Sequence, residues 1–237
     1  MKPNFARPFF AKRCATAMLF LFGITIQVSA QNPSGIYSPV ELNADLPYRV
    51  EVRSYPMGQV EVPTLHSYAV GEYGGKFLFV SGRTNGLHGF DCCFDPAENF
   101  QPQSQNRDVW LIDFANRQTW HRSLDDSSSG LTEAQILSLT PTNTQFHRRG
   151  DTLYVTGGYG KTGEGEDGPE FGTFETLTAI DLPGMSDWVM NGTGTAADHI
   201  RQIQNPLFQV TGGAMYAIGD RTHLVFGQNF EGLYTPF

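Results

Sequence analysis

Eight side chains carry the chemistry that the sequence offers most plainly: Arg83, Asn85, His88, Tyr159, Lys161, Gln228, Asn229 and Glu231. They fall in three polar stretches, RTNGLHGF (Arg83–Phe90), GYGKTGEG (Gly158–Gly165) and QNFEGLY (Gln228–Tyr234). Each stretch follows an apolar strand that ends at a glycine. Together they supply hydrogen-bond donors, acceptors and an aromatic ring. A sugar or a peptide is held by that mixture, a few oriented polar groups beside an apolar surface. The expectation is that the three stretches emerge on one face and ring one mouth.

Other chemistries find less support. The six histidines, His66, His88, His121, His147, His199 and His223, are scattered, and no pair has the spacing of helical metal ligands. The acidic stretch GEGEDGPE (Gly163–Glu170) holds Glu164, Glu166 and Asp167, which could face Ca²⁺, but it departs from the EF-hand pattern and reads as a solvated loop. Neither a nucleophile elbow nor a phosphate-binding loop occurs. No catalytic residue, metal site or cofactor is therefore assigned.

The elements that must position these residues are short strands in a repeat. LHSYAVGEYGGKFLFVSGR (Leu65–Arg83), NTQFHRRGDTLYVTGGY (Asn143–Tyr159) and GAMYAIGDRTHLVFGQN (Gly213–Asn229) share one plan: strand, tight polar turn, apolar strand, glycine. Alignment on Gly82, Gly157 and Gly227 gives spacings of 75 and 70. The turns YGGK, RGDT and GDRT put Gly or Asp where a hairpin needs a positive φ. DVWLIDF (Asp108–Phe114) and TWHRSL (Thr119–Leu124) add two strands to the first repeat. FETLTAIDL (Phe174–Leu182) and HIRQI (His199–Ile203) add two to the second. Ser129–Leu139 and Gly184–Gly192 read as short helices on the outside. Pro47–Pro56 reads as a lone strand before the first repeat.

Four-stranded meanders in series are expected to stack as blades, so the fold class is all-β. The strand ending in glycine, followed by an alternating strand with a tryptophan near its end, resembles the kelch repeat. LFVSGR…VWLIDFANRQTW and LYVTGGY…LTAIDL carry the likeness, with a glycine pair at Gly157–Gly158 and the tryptophan at Trp120. The resemblance implies a kelch-like, galactose-oxidase-like β-propeller over residues 47–237. It is incomplete, with about two and a half blades plus the N-terminal strand, where closed propellers have about four or more. The remaining blades are expected in a C-terminal part. Such propellers include binding modules, sugar oxidases and epimerases, and the fold does not choose among them. The leading expectation is a binding or scaffold module for a glycan or a protein. The alternative is a carbohydrate-active enzyme whose catalytic residues lie mostly elsewhere.

Residues 1–30 read as a secretion signal: Lys2, Arg7, Lys12 and Arg13, an apolar run Cys14–Ile26, then the small residues of VSA. Residues 31–46 form a leader. Removing the signal leaves twelve basic against twenty-four acidic residues, a surface that repels nucleic acid. No later stretch is apolar enough to span a membrane as a helix. The expected location is secreted, extracellular or at the cell surface, with the periplasm as the alternative. Cys92 and Cys93 are then the remaining cysteines, in an oxidising setting. Three states stay open for them: a strained vicinal disulfide, bonds to cysteines elsewhere, or free thiols.

Overall fold

The computed structural model describes residues 51, 53–86 and 99–234. The secretion signal, the leader, His88 and the Cys92–Cys93 pair lie outside the described residues. The chain divides into Met1–Tyr55 and Pro56–Phe237. In the first part Arg53 pairs with Glu51 at 2.5 Å. The described part of the expected Pro47–Pro56 strand, Glu51 and Arg53–Pro56, has no strand pairing.

The second part is built of small antiparallel sheets. The first sheet has the order β1 (Ala69–Tyr73), β2 (Lys76–Val80), β3 (Asp108–Asp113) and β4 (Gln118–Ser123), each strand beside the next. The second is formed by β5 (Gln145–Arg149), β6 (Thr152–Thr156), β9 (Thr176–Asp181) and β10 (Ile200–Gln204). A separate hairpin, β7 (Tyr159–Gly165) with β8 (Gly168–Thr173), is inserted between β6 and β9. A third repeat contributes β11 (Ala214–Ile218) and β12 (Arg221–Val225). Among the described residues no sheet closes on itself.

The three leading hairpins follow from their turns. Gly74–Gly75, Gly150–Asp151 and Gly219–Asp220 each separate a closing strand pair by two residues. Gly74, Gly75, Gly150 and Gly219 all have positive φ, which matches the right-handed twist of the strands they join. Alternating side chains then reach the core: Leu78 and Val80 of β2, Leu153 and Val155 of β6. β3 is buried along Val109–Asp113, as its near-continuous apolar run suggests.

Two helices complete the core. α1 (Glu133–Leu139) starts at Thr132, whose hydroxyl accepts from Gln135 N while Gln135 caps in return. α2 (Leu182–Asn191) starts at Asp181 and ends at Gly192, which is left-handed at φ 71°. Leu182, Met185, Trp188 and Val189 share one buried face of α2. That face packs on the first sheet: Arg122 of β4 donates to Trp188 O at 3.0 Å and lies over its ring. The expectation that this helix sits on the outside is thus corrected. Its apolar stripe is wide enough to join the two sheets rather than to cover one.

The repeat register also needs correction. Left-handed doublets end the second strand of every repeat: Ser81–Gly82, Gly157–Gly158 and Phe226–Gly227. Gly82 therefore matches Gly158, not Gly157, and the spacings are 76 and 69. The join between repeats is made the same way twice. Gly82 N donates to Pro141 O, and Gly158 N to Val210 O, both at 2.8 Å. Asn143 N donates to Ser67 O at 3.2 Å, and Gly212 N to Asn143 O at 3.0 Å.

Candidate functional site

Arg83, Tyr159 and Gln228 occupy one equivalent position. Each follows its left-handed doublet and exchanges two backbone hydrogen bonds with a residue just before the leading hairpin of its own repeat. The pairs are Arg83 with His66, Tyr159 with Thr142, and Gln228 with Thr211, at 2.8–3.0 Å. The sequence expectation placed these residues in loops. Tyr159 and Lys161 instead begin β7, and the acidic stretch is the tip of the β7–β8 hairpin. The Gly- and Glu-rich sequence hid a hairpin whose strands pair mainly through backbone.

Tyr159 is the centre of the site. It is 3% exposed, and its hydroxyl donates to Gly232 O at 2.8 Å and accepts from Tyr234 N at 2.7 Å. Burial pushes its pKa up to about 12, against the lowering effect of the Tyr234 hydrogen bond. Around it stand Phe100, Phe230 and Tyr234, with ring centroids 5.0, 6.1 and 6.5 Å away, all close to edge-on. The third repeat reaches this place because its tail adds to β8. Thr173 N donates to Phe230 O at 2.9 Å, Phe230 N to Thr173 Oγ1 at 2.8 Å, and Gly232 N to Phe171 O at 2.9 Å.

These four rings line a pocket of about 430 Å³, together with Asn143, Thr211 and Gln228. No lining residue is charged. The side-chain amides of Asn143 and Gln228 have no protein partner among the described residues, and both residues are exposed. Phe100 and Tyr159 are buried, so the pocket can offer a neutral ligand the half-buried rings of Phe230 and Tyr234 together with amide donors and acceptors.

The other expected site residues divide. Arg83 is buried behind Phe100, 5.0 Å from the ring centre, and burial lowers its pKa. Asn85 donates to Asn99 O at 3.5 Å, outside the main pocket. Lys161 pairs with Glu164 on the hairpin. Asn229 is exposed, and Glu231 bridges Gly172 through the backbone. Neither lines the pocket. Phe100, Asn143, Thr211, Phe230 and Tyr234 were not among the expected residues. Asn143 and Thr211 could have been found, because they lie beside the start of their repeats. Phe100 carries no signal, since it follows a long stretch without strand pattern.

Among the described residues no group of three or more His, Cys, Asp or Glu is arranged around a common point. No described helix is long and apolar enough to cross a membrane. Compared with known proteins, the chain matches no family model and no curated protein.

Proposed function

We propose that this chain is an exported, kelch-like array of propeller blades that binds a neutral glycan in the Tyr159 pocket. The observation that carries the reading is the pocket itself: four aromatic rings beside two exposed amides without protein partners, and no charge. Sugar rings stack their C–H faces on aromatic side chains, while their hydroxyls pair with amides. The blade reading draws support from the two four-stranded meanders and from the hydrogen bonds repeated at both joins. Export is part of the proposal and rests on the basic, apolar and small-residue order of the first thirty residues.

Screening the full chain against a glycan array, followed by calorimetry on the best ligand, tests this. Gln228→Ala removes an exposed amide without disturbing the buried ring cluster. It is expected to weaken binding at least tenfold with an unchanged circular dichroism spectrum. Equal affinity in the variant, or no glycan bound by the intact chain, would sink the proposal. N-terminal sequencing of the exported protein is expected to begin at Gln31.

A further inference from the structure

Arg83 raises a problem that the proposed sugar pocket does not solve. The residue is 4% exposed, and its Nε has no hydrogen-bond partner. Its Nη1 donates to Asn99 O at 3.3 Å, and its guanidinium lies over Phe100. Among the described residues no carboxylate comes within ion-pair distance of it. A buried cation is strongly disfavoured unless a negative charge accompanies it, and one aromatic face offsets only part of that cost.

Two other buried polar atoms beside it are also unpartnered: the Gln105 side-chain nitrogen and Thr142 Oγ1. Thr142 is 2% exposed. All three residues line one small void of about 10 Å³, separate from the sugar pocket but sharing the walls of Phe100 and Tyr159. Their backbones are tied down: Arg83 bridges both His66 and Gln105, and Thr142 bridges Tyr159. The three groups therefore converge from three segments of fixed geometry.

We propose that this void is a binding site for one monatomic anion of the size of chloride, held by Arg83 Nε, the Gln105 amide and Thr142 Oγ1. All three groups can donate a hydrogen bond. One water could accept from Arg83 Nε and the Gln105 amide and donate to Thr142 Oγ1, but it brings no charge, whereas a halide accepts all three and also neutralises the guanidinium. At about 10 Å³ the void has room for one small particle and is too small for sulfate. Arg83 and Gln105 belong to the first repeat and Thr142 to the second, so the anion would fasten the join between them.

The test is thermal unfolding of the full chain in sodium chloride, bromide, sulfate and gluconate at equal ionic strength. A ligand that binds only the folded state raises the Tm with its concentration. Chloride and bromide are expected to raise it in a saturable way, and sulfate and gluconate are not. Gln105→Glu places a carboxylate beside Arg83. It is expected to be as stable in gluconate as the unaltered chain is in saturating chloride, and to lose the halide response. Thr142→Val is expected to weaken the response at least several-fold. An unaltered chain that melts at the same temperature in all four salts would show the void to hold water only. A halide response that survives intact in Gln105→Glu would place the ion elsewhere. Either result overturns the proposal.

Discussion

Tyr159 shows how little of a residue's role its neighbours in sequence reveal. It follows a glycine pair and precedes a polar run, so it reads as a loop aromatic. Its place just after a strand-ending glycine pair was legible, but its equivalence to Arg83 and Gln228 was not, because alignment on Gly157 shifted the second repeat by one residue. Its burial was not legible either, because Phe100, Phe230 and Tyr234 come from segments far apart in the chain. Tyr159→Phe keeps the ring cluster but strands Gly232 O and Tyr234 N. Gly232 is exposed and Tyr234 half-buried, so water can reach both groups, and a loss of about 0.5–1.5 kcal/mol is expected in urea unfolding at neutral pH. The deficit should also depend on pH. The folded pKa lies near 12, above the unfolded value, so the folded state holds the proton longer. The hydroxyl's contribution is full below pH of about 10 and is lost as pH rises towards 12. The gap between Tyr159→Phe and the unaltered chain should therefore narrow across that window. A gap that widens there would contradict the assigned burial.

Elements were legible where local chemistry decides them and hidden where tertiary contacts do. The hairpin turns at Gly74–Gly75, Gly150–Asp151 and Gly219–Asp220 could be read directly, as could both helices. The strand-ending doublets were misread by one residue because Ser81 and Phe226 take a left-handed conformation that sequence does not advertise. At the second doublet the next repeat comes especially close. At Gly157 an added Cβ would lie 1.8 Å from Val210 O. Gly157→Ala should cost at least about 3 kcal/mol, since backbone must move. Gly212 has the same sign of φ, 70°, but open space around it. Gly212→Ala should cost only about 1 kcal/mol, the left-handed penalty alone. Chemical denaturation of both variants separates the two effects. Equal losses would mean that close packing at the join is unimportant. Trp188 makes the same point for α2, whose side chain is fully buried although its helix looked peripheral. Trp188→Ala is expected to cost about 3–5 kcal/mol, or to prevent folding.

Across the whole molecule, equivalent positions meet different surroundings. Ala69 is 0% exposed and its equivalent Gln145 is 2% exposed, yet Ala214 is exposed. Val80 is 1% exposed and Thr156 is 2%, while Val225 reaches 39%. The difference is the next repeat. Residues around Leu139–Pro141 cover the end of β2, and Phe208–Val210 lie against the end of β6. Among the described residues nothing does this for β12, which pairs with β11 alone. Tyr216, Ile218 and Phe226 are left exposed beside it. An unpaired strand edge next to exposed apolar side chains favours pairing with another chain. The chain is therefore expected to self-associate through this face, with a weight-average mass that rises with concentration in sedimentation. Phe226→Gly is the informative variant, because it removes an exposed ring and relaxes a left-handed non-glycine residue at once. It should lower the association without lowering the melting temperature of the monomer. A chain that stays monomeric at high concentration, with native tertiary circular dichroism, would show that this face is stable in water uncovered. The proposed need of each repeat for a successor would then fail.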